Sequence, residues 1–457
     1  MIFTQYYLDC LSHASYLVAD ETTGRAVVVD PQRDVSGYLR DAAADGLHIE
    51  KVIETHFHAD FLSGHLELAE ATGATICYGE AATAEFPIER LVDGQRISLG
   101  DVTLEVRATP GHTPESISLV VYEHADDAVP YGVLTGDTLF IGDVGRPDLL
   151  ASAGTPAEEL ARSLYRSLHR QLLSLPDATR VYPAHGAGSA CGKQLSTATV
   201  STIGEQRRTN YALAPMDEQT FVAIVTEGQP AAPAYFAFDA RRNRQARPLL
   251  DDHRPPRPLD LETVLVQRAA GAVVLDAREP AAFAAGHLAG SVNVALSGRY
   301  AEYAGNVLRP DEPVVLVADP GREHEAAVRL ARIGFDQVVG YLAEPVGSVL
   351  QRRPDLAAIS SRVTAAQLAA LLSSEPSLLP LDVRNPSEVA SGAVPGALPI
   401  PLPELTARLA DVPTDRPVVV YCASGVRSIV AASLLARTGH PDVSDLVGGM
   451  AAWSTLA

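Results

Sequence analysis

Up to about residue 215 the apolar positions come in short runs broken by turns: SYLVAD, GRAVVVD, IEKVIETH, ATICYG, VTLEVRAT, SISLVVY, YGVLTGD and TRVYPAH. Short runs of this kind, rich in Val and Ile and bounded by turn residues, predict β-strands. The strands that carry candidate chemistry end in polar residues, as expected where a sheet edge bears the loops of a site. Residues 157–175, AEELARSLYRSLHRQLLSL, have helical spacing, with Thr155 and Pro156 as the expected cap and first turn. Between 228 and 260 the pattern dissolves into GQPAAPAYF and RPLLDDHRPPRPLD, which predicts a linker, or an arm lying across the next domain.

Beyond that stretch the sequence repeats itself. VVLDAREPAAFAAGHLAGSVNVAL overlays LPLDVRNPSEVASGAVPGALPIPL, and AAVRLARIGF overlays AASLLARTGH. The pairs Asp276 with Asp382 and Arg332 with Arg437 give offsets of 106 and 105. A near-constant offset over two separated segments predicts two copies of one domain. Within each copy, buried strands such as PVVLVA and PVVVYC alternate with helices, the pattern of a small parallel α/β sheet. The expected division is therefore a first domain over 1–227, a linker over 228–260, and the two copies over 261–352 and 362–457.

Composition narrows the function. At 457 residues the chain exceeds one hydrophobic core, and its 47% apolar and 20% charged residues are those of ordinary globular domains. A net charge of −20 argues against nucleic acid or an anionic membrane surface as partner, so any anionic substrate must meet a local basic or metal site. No run approaches a membrane span and MIFTQYYLDC has no signal-peptide pattern, which predicts a cytoplasmic protein without membrane attachment. Cys10, Cys77, Cys191 and Cys422 lie far apart without C-x-x-C spacing, fitting reduced thiols and excluding a thiolate zinc cluster. Oligomeric state is not legible, and a homo-oligomer is compatible with everything above.

Candidate chemistry gathers at strand ends. THFHAD (His56, His58, Asp60) is followed by TPGHT (His112), LTGDTL (Asp137) and YPAHG (His185). Imidazole and carboxylate suit zinc, iron or manganese, and two histidines with one carboxylate leave three positions open, the arrangement of non-haem Fe(II) oxygen chemistry. Because a histidine must be neutral to bind, activity should fall below about pH 6. The first motif ends at Phe61, whose side chain offers no lone pair.

On THFHAD, TPGHT, TGD and GDVGRPD, residues 1 to about 215 resemble the metallo-β-lactamase fold, specifically its persulfide dioxygenase branch. Phe61 stands where the wider superfamily continues H-x-H-x-D-H to hold a second metal, which favours a single metal over a dinuclear zinc hydrolase. The resemblance implies one Fe(II) per chain on His56, His112 and Asp137. It places His58, Asp60 and His185 behind them as hydrogen-bonding groups, with Asp60 suited to orient a ligating imidazole. It also suggests a substrate mouth near Arg146, Tyr182 and Arg207, with Cys191 able to receive or relay sulfur. Cys10 and Cys77, in strand-like contexts, are expected in the core.

In the last copy, VVVYCASGVRSIVAASLLA runs an apolar strand into Cys422, a short loop, and a helix from about Ser428. Such a loop aims backbone N–H groups and a helix N-terminus at the sulfur, favouring a thiolate or persulfide anion. LDVRNPSEVASGAVPGA, YCASGVRS and DLVGGMAAW resemble rhodanese, which implies that Cys422 carries sulfane sulfur and that Arg427 positions an anion. The first copy shares the entry motif but reads LVADPGREHEAA at the loop, placing Val317 or Ala318 where the cysteine would be. It resembles a catalytically silent rhodanese, whose Arg322 could keep an anion site.

The implied architecture is α/β and multidomain: a metallo-β-lactamase αββα sandwich followed by two rhodanese-like parallel-sheet domains. The implied activity is oxidation of a low-molecular-weight thiol persulfide with O2 to sulfite and thiol, coupled to sulfur transfer from Cys422 onto sulfite to give thiosulfate. A zinc thioester hydrolase resembling glyoxalase II, fused to a sulfurtransferase, is the alternative enzyme. A sulfide-responsive relay with a structural metal is the non-enzymatic one.

Overall fold

Alternation along the strands builds the first unit in layers. In Arg25–Val29, Val27 and Val29 face one way and Ala26 and Val28 the other; Tyr16 and Val18 likewise oppose Leu17 and Ala19. The first set meets Leu104, Val106, Leu119 and Val121 of a second sheet. The second set packs on helices α1 (Ser36–Ala44) and α2 (His65–Thr72) through Tyr38, Ala42 and Leu68. On the far side, Val120, Tyr122 and Val133 meet α3 (Ala157–Ser167), α4 (Ile203–Thr209) and α5 (Glu218–Thr226) through Leu164, Ile203 and Phe221. Both faces of each sheet are therefore buried, which is why these strands read as continuous apolar runs. The result is an αββα sandwich.

The computed structural model describes residues 1–149 and 155–456. The first sheet runs β1 (Ile2–Leu8), β2 (His13–Ala19), β3 (Arg25–Val29), β4 (His48–Ile53), β5 (Thr75–Gly79) and β6 (Glu89–Leu91) in chain order. It is antiparallel through β3 and parallel from β3 onward. The second sheet runs β7 (Arg96–Ser98), β8 (Thr103–Ala108), β9 (Ile117–Tyr122), β10 (Gly132–Gly136), β11 (Arg180–Pro183) and β12 (Ser201–Thr202). Helix α3 begins with Pro156 at its cap and no side-chain capping bond, so Thr155 does not cap it; the chain then continues through a π-helical turn, Leu168–Leu172.

The stretch read as a linker is folded. Residues 1–229 and 236–252 form one unit, and 230–235 with 253–457 form the other. Within 236–252, helix α6 (Phe236–Arg242) is followed by Arg247, whose buried guanidinium pairs with Glu67 at 2.6 Å and fastens the segment to α2. Proline content signalled a break in regular pattern, but not that these residues return to the first unit.

In the second unit two five-stranded parallel sheets repeat one design. Their strand orders are Pro258–Leu259, Val338–Leu342, Val314–Val317, Val273–Asp276, Val292–Asn293, and Ser361–Val363, Val443–Leu446, Val418–Tyr421, Leu379–Asp382, Leu398–Pro399. Asp276 and Asp382 close the same buried ion pair, with Arg278 and Arg384, each at 2.6 Å. The helix Val426–Arg437 is buried nearly all round. Its Ser433 Oγ accepts from the Asn293 amide of the preceding copy at 3.0 Å, so that copy covers the face its own sheet leaves open. No helix among the described residues is long and apolar enough to cross a membrane.

Candidate metal centre and cysteine loop

Four loops meet at one rim of the sandwich, each following a strand. His56, His58 and Asp60 follow β4, His112 follows β8, Asp137 follows β10 and His185 follows β11. His56 Nε2 lies 3.8 Å, and His112 Nε2 3.5 Å, from Asp137 Oδ2. All three groups are buried, and Asp137 Oδ2 has no hydrogen-bond partner.

The neighbours fix which atoms face the centre. Thr55 Oγ1 donates to Asp30 Oδ2 at 2.9 Å and so accepts from His56 Nδ1–H at 3.0 Å. His112 Nδ1–H donates to the Arg146 carbonyl at 2.8 Å. Both rings are thereby held as Nδ1–H tautomers with an Nε2 lone pair turned inward. Asp137 divides its oxygens: Oδ1 accepts from His185 Nδ1 at 2.7 Å, leaving Oδ2 for the centre. His185 Nε2 lies 2.8 Å from Asp60 Oδ2. Burial works against charge here, yet the two carboxylates prevail and raise the His185 imidazole well above its ordinary value. Two inward lone pairs and a buried oxygen with no proton to accept are the donor set a divalent cation requires.

Phe61 fills the place beside this centre. Its ring centroid lies 4.0 Å from that of His13 and 4.4 Å from that of His58. His58 Nε2 lies 3.2 Å from Asp30 and 3.5 Å from Glu54 without hydrogen-bond geometry. Burial and Asp30 push the Glu54 carboxyl well up. GDVGRPD is explained by close approach: a Cβ on Gly145 would stand 1.9 Å from the Asp137 carbonyl and 3.1 Å from His112 Nδ1. Asp143 accepts from the amides of Val144, Lys193 and Gln194 and from Tyr211.

Several expected roles are reassigned. Asp60 faces His185, while Thr55 and the Arg146 carbonyl orient the paired imidazoles. The Arg146 guanidinium is buried, bidentate to Asp148 and bonded to the Ala190 carbonyl, so its main chain serves the centre instead of its charge serving a mouth. Arg207 is spent on Asp177 and the carbonyls of Leu173 and Leu175. Tyr182 packs in the inter-sheet core, its ring 4.6 Å from Phe3. Cys191 is buried within 4.8 Å of Asp137 and His185, and burial pushes its thiol well up. Cys77 lies in β5 as expected, but Cys10 sits half-buried in a turn.

Sequence reasoning missed His13 and the 236–252 segment. The β-bridge of His13 to His185 brings the first from a distant strand. From the second, Asn243 Nδ2 donates to the carbonyls of His58 and Phe61, both at 2.8 Å, and Asn243 Oδ1 accepts from Ser63 N at 2.9 Å. A cavity of about 230 Å³ opens beside His112 and Phe57, with α6 as its other wall. Only the change of composition at 228–260 hinted at this segment.

In the last copy, strand Val418–Tyr421 delivers Cys422, and the Gly425 amide donates to its Sγ at 3.1 Å. Gly425 has φ of +94°, which lets the loop turn directly into the helix at Val426. Arg427 is bidentate to Glu388 at 2.7 and 2.8 Å. The paired glycines of DLVGGMAAW bring the last helix onto the loop: Met450 N donates to the Cys422 carbonyl, and a Cβ on Gly449 would stand 2.3 Å from that oxygen. In the first copy, Val317 pairs with Asp276 as Tyr421 pairs with Asp382, which aligns Ala318 with Cys422. Arg322 is exposed and bidentate to Glu325.

A metallo-beta-lactamase superfamily profile matches residues 8–185, and a rhodanese-like domain profile matches 261–344 and 364–456. The chain is 33% identical over 246 residues to a probable metallo-hydrolase of Burkholderia pseudomallei, covering 46% of this chain and 81% of the relative. The chain belongs to the metallo-beta-lactamase superfamily. Within that superfamily it is also 31% identical over 235 residues to the mitochondrial persulfide dioxygenase ETHE1 of Bos taurus, covering 50% of this chain and 82% of that protein. A solved metallo-beta-lactamase from Staphylococcus aureus is 34% identical, covers 74% of this chain and 98% of its own, and superposes with a TM-score of 0.67. This superfamily member thus joins a metallo-beta-lactamase domain to two rhodanese-like domains.

Proposed function

We propose that this protein is a non-haem Fe(II) persulfide dioxygenase coupled to a rhodanese. The observation that carries the reading is Asp137 Oδ2, a buried oxygen without a partner facing two inward imidazole nitrogens, while Phe61 fills the adjacent space. His56, His112 and Asp137 would hold one iron, which when bound supplies the redox chemistry between sulfane sulfur and dioxygen. The overall change is R–S–SH + O2 + H2O → R–SH + SO3²⁻ + 2 H⁺. His185 anchors Asp137 Oδ1, the Arg146 carbonyl and Thr55 fix both rings, and the cavity beside His112 admits the thiol carrier.

In the second unit the Gly425 amide supports a charged sulfur on Cys422. Cys422 takes the outer sulfur of R–S–S⁻, releasing the thiol, and its new S–S bond breaks when sulfite attacks, giving S2O3²⁻ and restoring the thiolate. Arg427, fixed by Glu388, places positive charge beside the incoming anion. The test is anaerobic iron loading followed by product analysis with glutathione persulfide. Asp137→Ala should lose O2 uptake while thiosulfate-to-acceptor transfer survives, and Cys422→Ser should shift product from thiosulfate to sulfite. Two zinc ions with thioester cleavage and no O2 uptake would refute the proposal.

A further inference from the structure

The cysteine-less copy has a task that needs no sulfur chemistry. Tyr235 and Phe236 are joined by one peptide bond, yet Tyr235 belongs to the second unit and Phe236 to the first. Phe236 opens α6 and, with Ala237 and Ala240, lines the cavity beside His112. Tyr235 is 2% exposed and packs within the silent copy, its ring edge-on to buried Phe335 with centroids 6.4 Å apart. Gly305 makes the room. It lies inside the helix Tyr300–Val307, where glycine is less favourable than alanine, and a Cβ there would stand 2.3 Å from Tyr235 Cδ1.

Helix α6 depends on being fastened. It spans seven residues, about two turns, too few to stay helical without tertiary support. Beyond its C-terminal end Asn243 bonds the carbonyls of His58 and Phe61, Arg244 lies 4.5 Å over the Phe57 ring, and Arg247 pairs with Glu67. Its N-terminal end runs straight into Tyr235. We propose that Tyr235, seated against Gly305 and Phe335 of the silent copy, is a positioning residue: through the adjoining Phe236 it fixes the α6 wall of the cavity in the first unit. The silent copy is thereby an anchor for that wall, a role to which the missing cysteine is irrelevant. That the ligand held against the wall is a thiol persulfide rests on the function proposed above; the anchoring does not.

Full-length, iron-loaded variants test the anchor with a readout apart from activity. Tyr235→Ala empties the seat, and Gly305→Ala fills it with a methyl group that displaces the ring. In each, hydrogen–deuterium exchange of the amides of 236–244 should be about tenfold faster, with β8 to β11 exchanging as in the wild type. KM for glutathione persulfide should rise about fivefold while kcat stays within about twofold, because a displaced wall weakens carrier binding without touching the reacting atoms. Sulfur transfer by Cys422 from thiosulfate should be unchanged. Tyr235→Phe keeps the ring and should restore both exchange and KM. Should Tyr235→Ala unfold the silent copy, Gly305→Ala carries the test, since it removes nothing and favours the helix. Wild-type exchange at 236–244 in the folded variants would overturn the anchor, and faster exchange with an unchanged KM would overturn its part in positioning substrate. Faster exchange in the variants, with no persulfide-dependent O2 uptake by the wild type, would instead refute the dioxygenase reading and leave the anchor standing.

Discussion

Truncating Asn243 to alanine removes one side chain and three hydrogen bonds at once. The amide clamps both ends of the turn that follows His58, through the carbonyls of His58 and Phe61 and the amide of Ser63. Asn243 is fully buried, so truncation leaves three backbone groups short of partners. Each such group costs about 1–3 kcal/mol, and water entering the vacated space recovers part, for a net loss of roughly 3–5 kcal/mol. In a unit of this size that lowers the melting temperature by roughly 6–20 °C. Retention of the iron proposed for His56, His112 and Asp137 should fall with it, since His56 and His58 share the clamped loop. The assay is scanning calorimetry with iron per chain measured after dialysis against a chelator. Asn243→Asp keeps the acceptor for Ser63 but turns a carboxylate on two carbonyls, and should be no better than alanine. Melting within about 2 °C of wild type, with undiminished iron in both variants, would refute the clamp.

Glu388 sets a pH-dependent contribution in the last copy. Burial pushes its carboxyl up, but the two bonds from Arg427 prevail and hold it below its ordinary value of 4.5. A depressed carboxylate stabilises fully above its unfolded value and loses that contribution as pH falls through the folded one. The melting difference between wild type and Glu388→Gln should therefore be largest near neutrality and shrink below about pH 4.5; a constant difference would contradict the pairing. Burial pushes Cys77 up to about 12 and Cys191 well above its ordinary value, so peptide mapping after thiol labelling at pH 8 should find both unmodified until denaturant is added. Labelling of either in the native protein would contradict that burial.

That His56, His112 and Asp137 come together was legible because they lie in short motifs at strand ends, and the strands were legible because sheets buried on both faces leave continuous apolar runs. The cysteine loop was legible for the same reason, as a Val-rich strand running into Cys422. What stayed hidden depends on long-range return of the chain. Nothing near Asn243 or Arg244 marks them, because their partners His58, Phe61 and Phe57 lie more than 180 positions away. Arg146 misled in a different way, since a charged residue in a motif close to the metal ligands invites a role for its charge, whereas here its carbonyl faces His112. The choice between Val317 and Ala318 needed strand register, which spacing alone leaves one residue uncertain.

The backbone passes between the two units three times, near 229, 235 and 252, and this governs how the protein comes apart. A nick introduced between 229 and 236 yields two fragments, yet the C-terminal one still carries α6, Asn243 and Arg247 docked in the N-terminal one. The fragments should therefore co-elute until denaturant releases them. A nick just past 252 spares that docking, but leaves residues 230–235, which belong to the second unit, on the N-terminal fragment.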